Sequence, residues 1–185
     1  ELLNLNKKII NKAKWITYLS STSVYGDHGG EWVDEKSKTN PTSINGIERL
    51  KAEQSWMKLA QKNNLPLQIF RLSGIYSNQY NVLKRLKRGE VKIINKKNHF
   101  FSRIHVEDIA NALFKSLDNF KKGEIYNISD DKPASQEEIA TYGSKLLKLK
   151  SPELLELESL EDGMLKDFYK DSKKVDNQKV KKFFE

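Results

Sequence analysis

The chain has 185 residues, enough for one domain with a true core. Hydrophobic residues make up 37% and charged residues 31%, so a core forms with little apolar surface to spare. The net charge of +8 is mostly lysine interleaved with acids, which reads as solvated faces and disfavours a nucleic-acid partner while still drawing anions such as a pyrophosphate. No cysteine is present, which excludes disulfides, thiolate catalysis and Cys-ligated zinc. No apolar run approaches the ~18 residues that cross a bilayer, and no signal-peptide pattern opens the chain, so no membrane partner and a cytoplasmic location are expected.

In chain order, Glu1 to Lys14 carries Leu2, Leu5, Ile9 and Ala13 at helical spacing and reads as a helix tail feeding a strand, Trp15 to Ser20. Ser20-Ser21-Thr22-Ser23-Val24-Tyr25-Gly26 ends that strand in hydroxyls and a glycine. Asp27 to Asn40 is a polar loop. Thr42 or Ser43 caps a helix reaching Asn63, with Ile47, Leu50, Trp56, Leu59 and Ala60 as its apolar stripe. Leu67 to Leu72 is a second strand, and the β-α-β order implies a parallel pair. Beyond Asn78 the pattern predicts a short basic helix ending at Gly89 and short strands at Val91 to Ile94 and Phe100 to Ile104. It continues with a helix at Val106 to Leu117, a strand at Glu124 to Ile128 and a helix capped by Ser135. After Pro152 the chain reads as charged and mostly helical.

A strand that ends in Ser and Thr before a helix places small donors at the carboxyl end of a sheet, where open α/β folds bind ligands. Those hydroxyls serve equally to satisfy backbone groups at the strand end. Arg103 and His105 flank Ile104, so on a strand they share a face, an arrangement suited to a phosphate or carboxylate. For Asp108 an ion pair with Arg103 and a helix-capping role is the alternative. His28 and His99 have no partner at ligand spacing, so no metal site is expected.

The Ser-rich strand end, Arg71-Leu72-Ser73-Gly74-Ile75-Tyr76 and Arg103-Ile104-His105-Val106-Glu107-Asp108-Ile109-Ala110, in that order, resemble the extended short-chain dehydrogenase/reductase family, specifically its NAD(P)-dependent epimerase/dehydratase-like members. The resemblance implies an α/β fold in which the last strands of a Rossmann-like parallel sheet, residues 1–77, join a small α/β substrate-binding lobe, residues 78–185. No Gly-x-Gly-x-x-Gly loop precedes the strand, and the first residue is Glu1, so truncation of the cofactor-binding half is expected.

By the same resemblance Ser21 takes the position of the hydroxyl that contacts the substrate oxygen. The family's Tyr-x-x-x-Lys pair falls on Asn45 and Arg49. Asn exchanges no proton near neutral pH and Arg stays charged, so the usual oxidoreductase step lacks its acid and base, with Tyr25 the nearest replacement phenol and packing beneath the loop its alternative role. Ser20, Ser73 and Gly74 are the implied cofactor contacts, and Asn81, Arg103 and His105 the implied substrate contacts. The expected function is an NAD(P)-dependent epimerase, dehydratase or reductase acting on a nucleotide-sugar or similar small molecule, with NAD or NADP bound weakly or not at all by these residues alone. The alternatives are an inactive nucleotide-binding regulator or a dimerising interaction module. A homo-oligomer is expected, because the open edge of the first strand and the Thr42 to Asn63 helix both offer contact surface.

Overall fold

The computed structural model describes residues 10, 12–159 and 169–184. The helical tail expected over Glu1 to Lys14 therefore falls mostly outside the described residues. The central element is a three-stranded parallel sheet in the order β1 (Ile16–Ser21), β3 (Leu67–Leu72), β7 (Ile125–Ile128). Every residue of β3 is buried, as a central parallel strand covered on both faces requires. The register sets Ser21 beside Leu72 and Leu72 beside Ile128, so the three carboxyl ends lie level. Among the described residues, β1 pairs with no strand other than β3.

One face is covered by α1 (Ile44–Asn63), with Ala60, Leu65 and Leu67 as a buried cluster against Trp56 and Leu59. The opposite face buries Phe70, Leu72, Tyr126 and Ile128 under α3 (Val106–Asp118) and the terminal helix α5 (Gln178–Phe184). After Ser73 the chain leaves the sheet through β4 (Gly74–Tyr76), which pairs with β6 (Arg103–His105). The helices α2 (Val82–Lys87) and α4 (Gln136–Leu147) pack together beside β5 (Ile93–Asn95). β7, although it comes late in the chain, returns to pair with β3.

Four sequence expectations change. Of the region after Pro152, expected to be mostly helical, residues 160–168 lie outside the described residues; among the described ones Leu154–Glu156 forms β8 parallel to β5, and Lys174–Val175 forms β9 parallel to β2 (Trp32–Val33). Both pairings are long-range, so local charge patterning gives no sign of them. The same pairing puts a strand inside the loop expected over Asp27 to Asn40. The strands expected at Val91 to Ile94 and Phe100 to Ile104 shift to β5 and β6, and Phe100 and Phe101 face a cavity instead. Finally, the stripe on α1 is not apolar throughout. Its most buried side chain is Glu53, while Ile47 remains 38% exposed, because α1 packs over polar groups of β1 and β3.

Candidate functional site

β1 ends at Ser21, whose Oγ accepts the Ser23 N–H at 3.1 Å and so starts a tight 3-10 turn, Thr22–Tyr25. Gly26 closes that turn with φ +72, and a Cβ there would lie 1.9 Å from the Asn40 carbonyl oxygen, so no other residue fits. Gly46, in the first turn of α1, lets the helix dock on the same turn: a Cβ there would meet the Ser23 carbonyl at 2.7 Å. Ser43 caps α1 by accepting the Gly46 N–H at 3.1 Å. Together these contacts bring the helix N-terminus against the strand end.

A hollow of about 540 Å³ opens there, at the carboxyl ends of β1 and β3. Its polar wall comes from Ser21, Ser23, Ser43, Asn45 and Ser73, and its far wall from Phe100, Phe101, Asp171 and Lys173. A second cleft, about 560 Å³, lies beside it and is lined by Tyr18, Glu48 and Arg49. Ser21, Ser23 and Asn45 border both, forming a shared partition. The Arg49 guanidinium donates to the Leu19 carbonyl at 3.2 Å. Ser21, Asn45 and Arg49, singled out from sequence, are thus brought together. Ser73 and Gly74 line the first hollow, and the Ser73 hydroxyl is buried without a hydrogen-bond partner.

Ser20 and Tyr25 lie behind this wall. Ser20 Oγ donates to Glu53 Oε1 at 2.6 Å, and the Glu53 carboxylate receives Arg71 Nη2 at 2.8 Å and Nε at 3.1 Å. The Arg71 guanidinium lies over the Tyr25 ring, 4.9 Å from its centroid, and the Tyr25 hydroxyl donates to Asn127 Oδ1 at 2.7 Å. Burial pushes the Tyr25 phenol above its usual range, against the lowering by Arg71, so it holds its proton. Tyr25 is fully buried and Ser20 nearly so, and neither hydroxyl is free to meet a ligand.

The lobe residues are placed apart from the hollow. Asn81 caps α2: its Oδ1 accepts the Lys84 N–H at 3.1 Å and its Nδ2 donates to the Ser77 carbonyl at 2.9 Å. Arg103 and His105 do flank Ile104 on β6, but Arg103 Nη1 donates to the Phe101 and Ala134 carbonyls at 3.0 and 3.3 Å, and its Nη2 to Gln136 Oε1 at 3.3 Å. Its burial lowers its pKa. His105 caps α3, and its ring meets Tyr76 edge-on at 5.1 Å. Asp108 borders a separate hollow of about 660 Å³ between α3 and α5. Among the described residues no group of His, Asp or Glu is arranged to hold a metal ion, and no helix is long and apolar enough to cross a membrane.

Sequence reasoning missed Glu53, Asp171, Lys173 and the two phenylalanines. A charged Arg71 inside a largely apolar strand was a signal for a buried partner. Lys173 carried none, standing among many lysines between Lys170 and Lys182.

A parallel α/β sheet with a hydroxyl-lined hollow at its strand ends, adjoining a cleft that carries an arginine, defines an α/β fold of Rossmann type. Residues 2–129 match the NAD dependent epimerase/dehydratase family, and the chain belongs to it. Protein YeeZ of Escherichia coli K12 is 30% identical over 148 residues, covering 75% of this chain and 48% of that protein. A functionally unknown conserved protein from Silicibacter pomeroyi superposes with TM-score 0.89 at 36% identity, over 98% of this chain and 65% of its own. The UDP-glucuronic acid 4-epimerase of Bacillus cereus, solved with NAD, shares the fold at TM-score 0.78 and 20% identity, over 99% of this chain and 58% of its own. The chain thus spans about half the length of the curated relative it matches.

Proposed function

We propose that the chain forms the substrate side and reacting end of an NAD(P)-dependent epimerase, dehydratase or reductase that acts on a nucleotide-sugar or a similar small molecule. The observation that carries this reading is the shared partition: Ser21 and Asn45 separate a cleft holding Arg49 from a hollow of substrate size. On this reading residues 1–77 belong to the cofactor-binding domain and residues 78–185 to the substrate lobe. Ser73 and Gly74, in the wall of the hollow, are where a nicotinamide would rest, and Arg49 takes its ribose or the bound substrate. When bound, that group supplies reversible hydride exchange. The residues present fit its nicotinamide end only. The Gly-rich turn and helix N-terminus that cradle a pyrophosphate are not among these 185 residues.

The chain by itself is therefore expected to bind NAD or NADP no tighter than about millimolar, and joining it to a Gly-rich half restores affinity. Calorimetric titration checks both, and micromolar binding by the chain alone overturns the placing of the pyrophosphate outside it. Nucleotide-sugar-dependent formation of reduced cofactor in the joined protein then tests turnover. Asn45 and Arg49 favour a second reading, a nucleotide-binding regulator without turnover, which binding without reduced-cofactor formation would select. Self-association through α1 and the open edge of β1 fits either reading.

A further inference from the structure

Proton exchange with a substrate oxygen needs a side chain that both takes and gives up a proton near neutral pH. The strand-and-helix wall of the hollow at the ends of β1 and β3 has none: it offers serine hydroxyls and the Asn45 amide. Of the described residues that line this hollow, only Asp171 and Lys173 titrate. Both arrive on the segment before β9, which distant parts of the chain clamp in place. The Ser172 N–H donates to Asp27 Oδ1 at 2.8 Å, Ser172 Oγ to the Asn98 carbonyl at 2.8 Å and Thr42 Oγ1 to Asp171 Oδ1 at 2.5 Å.

Lys173 Nζ donates to the Gly26 carbonyl at 2.8 Å and stands 3.8 Å from Asp171 Oδ2, with its side chain 12% exposed. The Gly26 bond engages one of the three ammonium protons, and Asp171 at 3.8 Å is an ion-pair partner beyond hydrogen-bond distance. The charged and titratable groups around it are Asp171 on its own segment, Asp27 on the loop after the 3-10 turn, and Lys96 and His99 on the loop after β5. Burial pushes the Lys173 ammonium below the usual lysine range, the two carboxylates oppose it, and burial prevails.

Resting on the epimerase/dehydratase reading, we infer that Lys173 is the group that exchanges a proton with the substrate oxygen in this hollow, the task for which Asn45 has no chemistry. In the forward sense the substrate O–H bond breaks, an N–H bond forms on the neutral amine, and an alkoxide and an ammonium result. Delivery of that proton to a carbonyl-derived oxygen is the reverse. The tether to the Gly26 carbonyl fixes the amine against the end of the 3-10 turn that follows β1, and Asp171 steadies the ammonium once it forms.

Lys173→Arg separates this role from a clamp. Arginine keeps the charge and a donor for Gly26 but holds its proton across the working range. In the chain joined to a Gly-rich half, the substitution should leave the melting temperature and NAD(P) affinity unchanged. Turnover should fall about 100-fold or more, and the rise of rate with pH should disappear. An NMR titration of the lysine side chains in the 185-residue chain gives a readout free of activity. The resonance lost in Lys173→Arg should titrate below the usual lysine range. Turnover within about threefold of the unmodified protein, or a Lys173 that titrates in the usual lysine range, overturns the inference alone. No turnover in the unmodified protein counts against the epimerase/dehydratase reading itself, and against Lys173 with it.

Discussion

Ser20 and Ser21 are neighbours on one strand, yet they belong to two polar regions built on opposite terms. Ser20 faces α1 and enters a cluster of Glu53, Arg71, Tyr25 and Asn127 whose members are buried and bound to one another. Ser21 faces a hollow whose hydroxyls, amide and ammonium retain capacity for something else. The alternation of a strand sends adjacent hydroxyls to opposite sides, so a single Ser-rich run supplies both a structural anchor and a ligand wall. The closed cluster holds β1, β3 and α1 in register, and that register places Ser21 and Asn45 on one partition.

The largest expected effect comes from breaking the closed cluster. Arg71→Met leaves the Glu53 carboxylate buried and uncompensated, and should cost about 3–5 kcal/mol of unfolding free energy in a denaturant titration. Replacing Arg71 and Glu53 together by apolar residues should recover much of that loss. A double variant as unstable as the single one would show that the cluster contributes more than its charge balance.

A smaller effect, and one that acts behind the open region, is expected from pH. His99 Nε2–H donates to the Asp171 carbonyl at 2.9 Å, and burial first, then Lys96, lowers its pKa from 6.5 to about 4. The unfolded chain takes up that proton below pH 6.5 while the native chain does not until about pH 4, so stability present above pH 6.5 is lost as pH falls between these values. The loss should reach about 2–3 kcal/mol. Melting curves across that range check it, and His99→Gln should flatten the slope.

The smallest change in stability is expected on the open side. Ser21→Ala removes one cap of the 3-10 turn and should cost about 1 kcal/mol, while any affinity for a ligand in the hollow drops disproportionately. An unfolding loss as large as that of Arg71→Met would erase the distinction between the two regions.

The main helices and strands between Ile16 and Leu147, the parallel β-α-β unit, the caps at Thr42 or Ser43 and at Ser135, and the strand-end position of Ser21 were legible in the residues. Each rests on local chemistry: a run of β-branched and apolar residues, a hydroxyl before a helix, a glycine that only one turn needs. Asn45 and Arg49 came from the family resemblance, and their place on one turn of α1 brings both to the same partition. What remained hidden depends on distant partners. Glu53 sits in an apolar stripe and reads as out of place until Arg71 arrives from another strand to pair with it. β8 and β9 exist only because β5 and β2 offer them backbone partners. Arg103 has the composition of an anion site, yet its guanidinium donates to the carbonyls of Phe101 and Ala134 and to Gln136. Lys173 has no local signature at all, and only the clamping of its segment against Gly26, Thr42 and Asn98 carries it into the hollow. Local sequence set the secondary structure and one wall of the site. Tertiary pairing decided which charges are buried, which are spent and which face a ligand, since those depend on burial and partners that residues far apart in the chain supply.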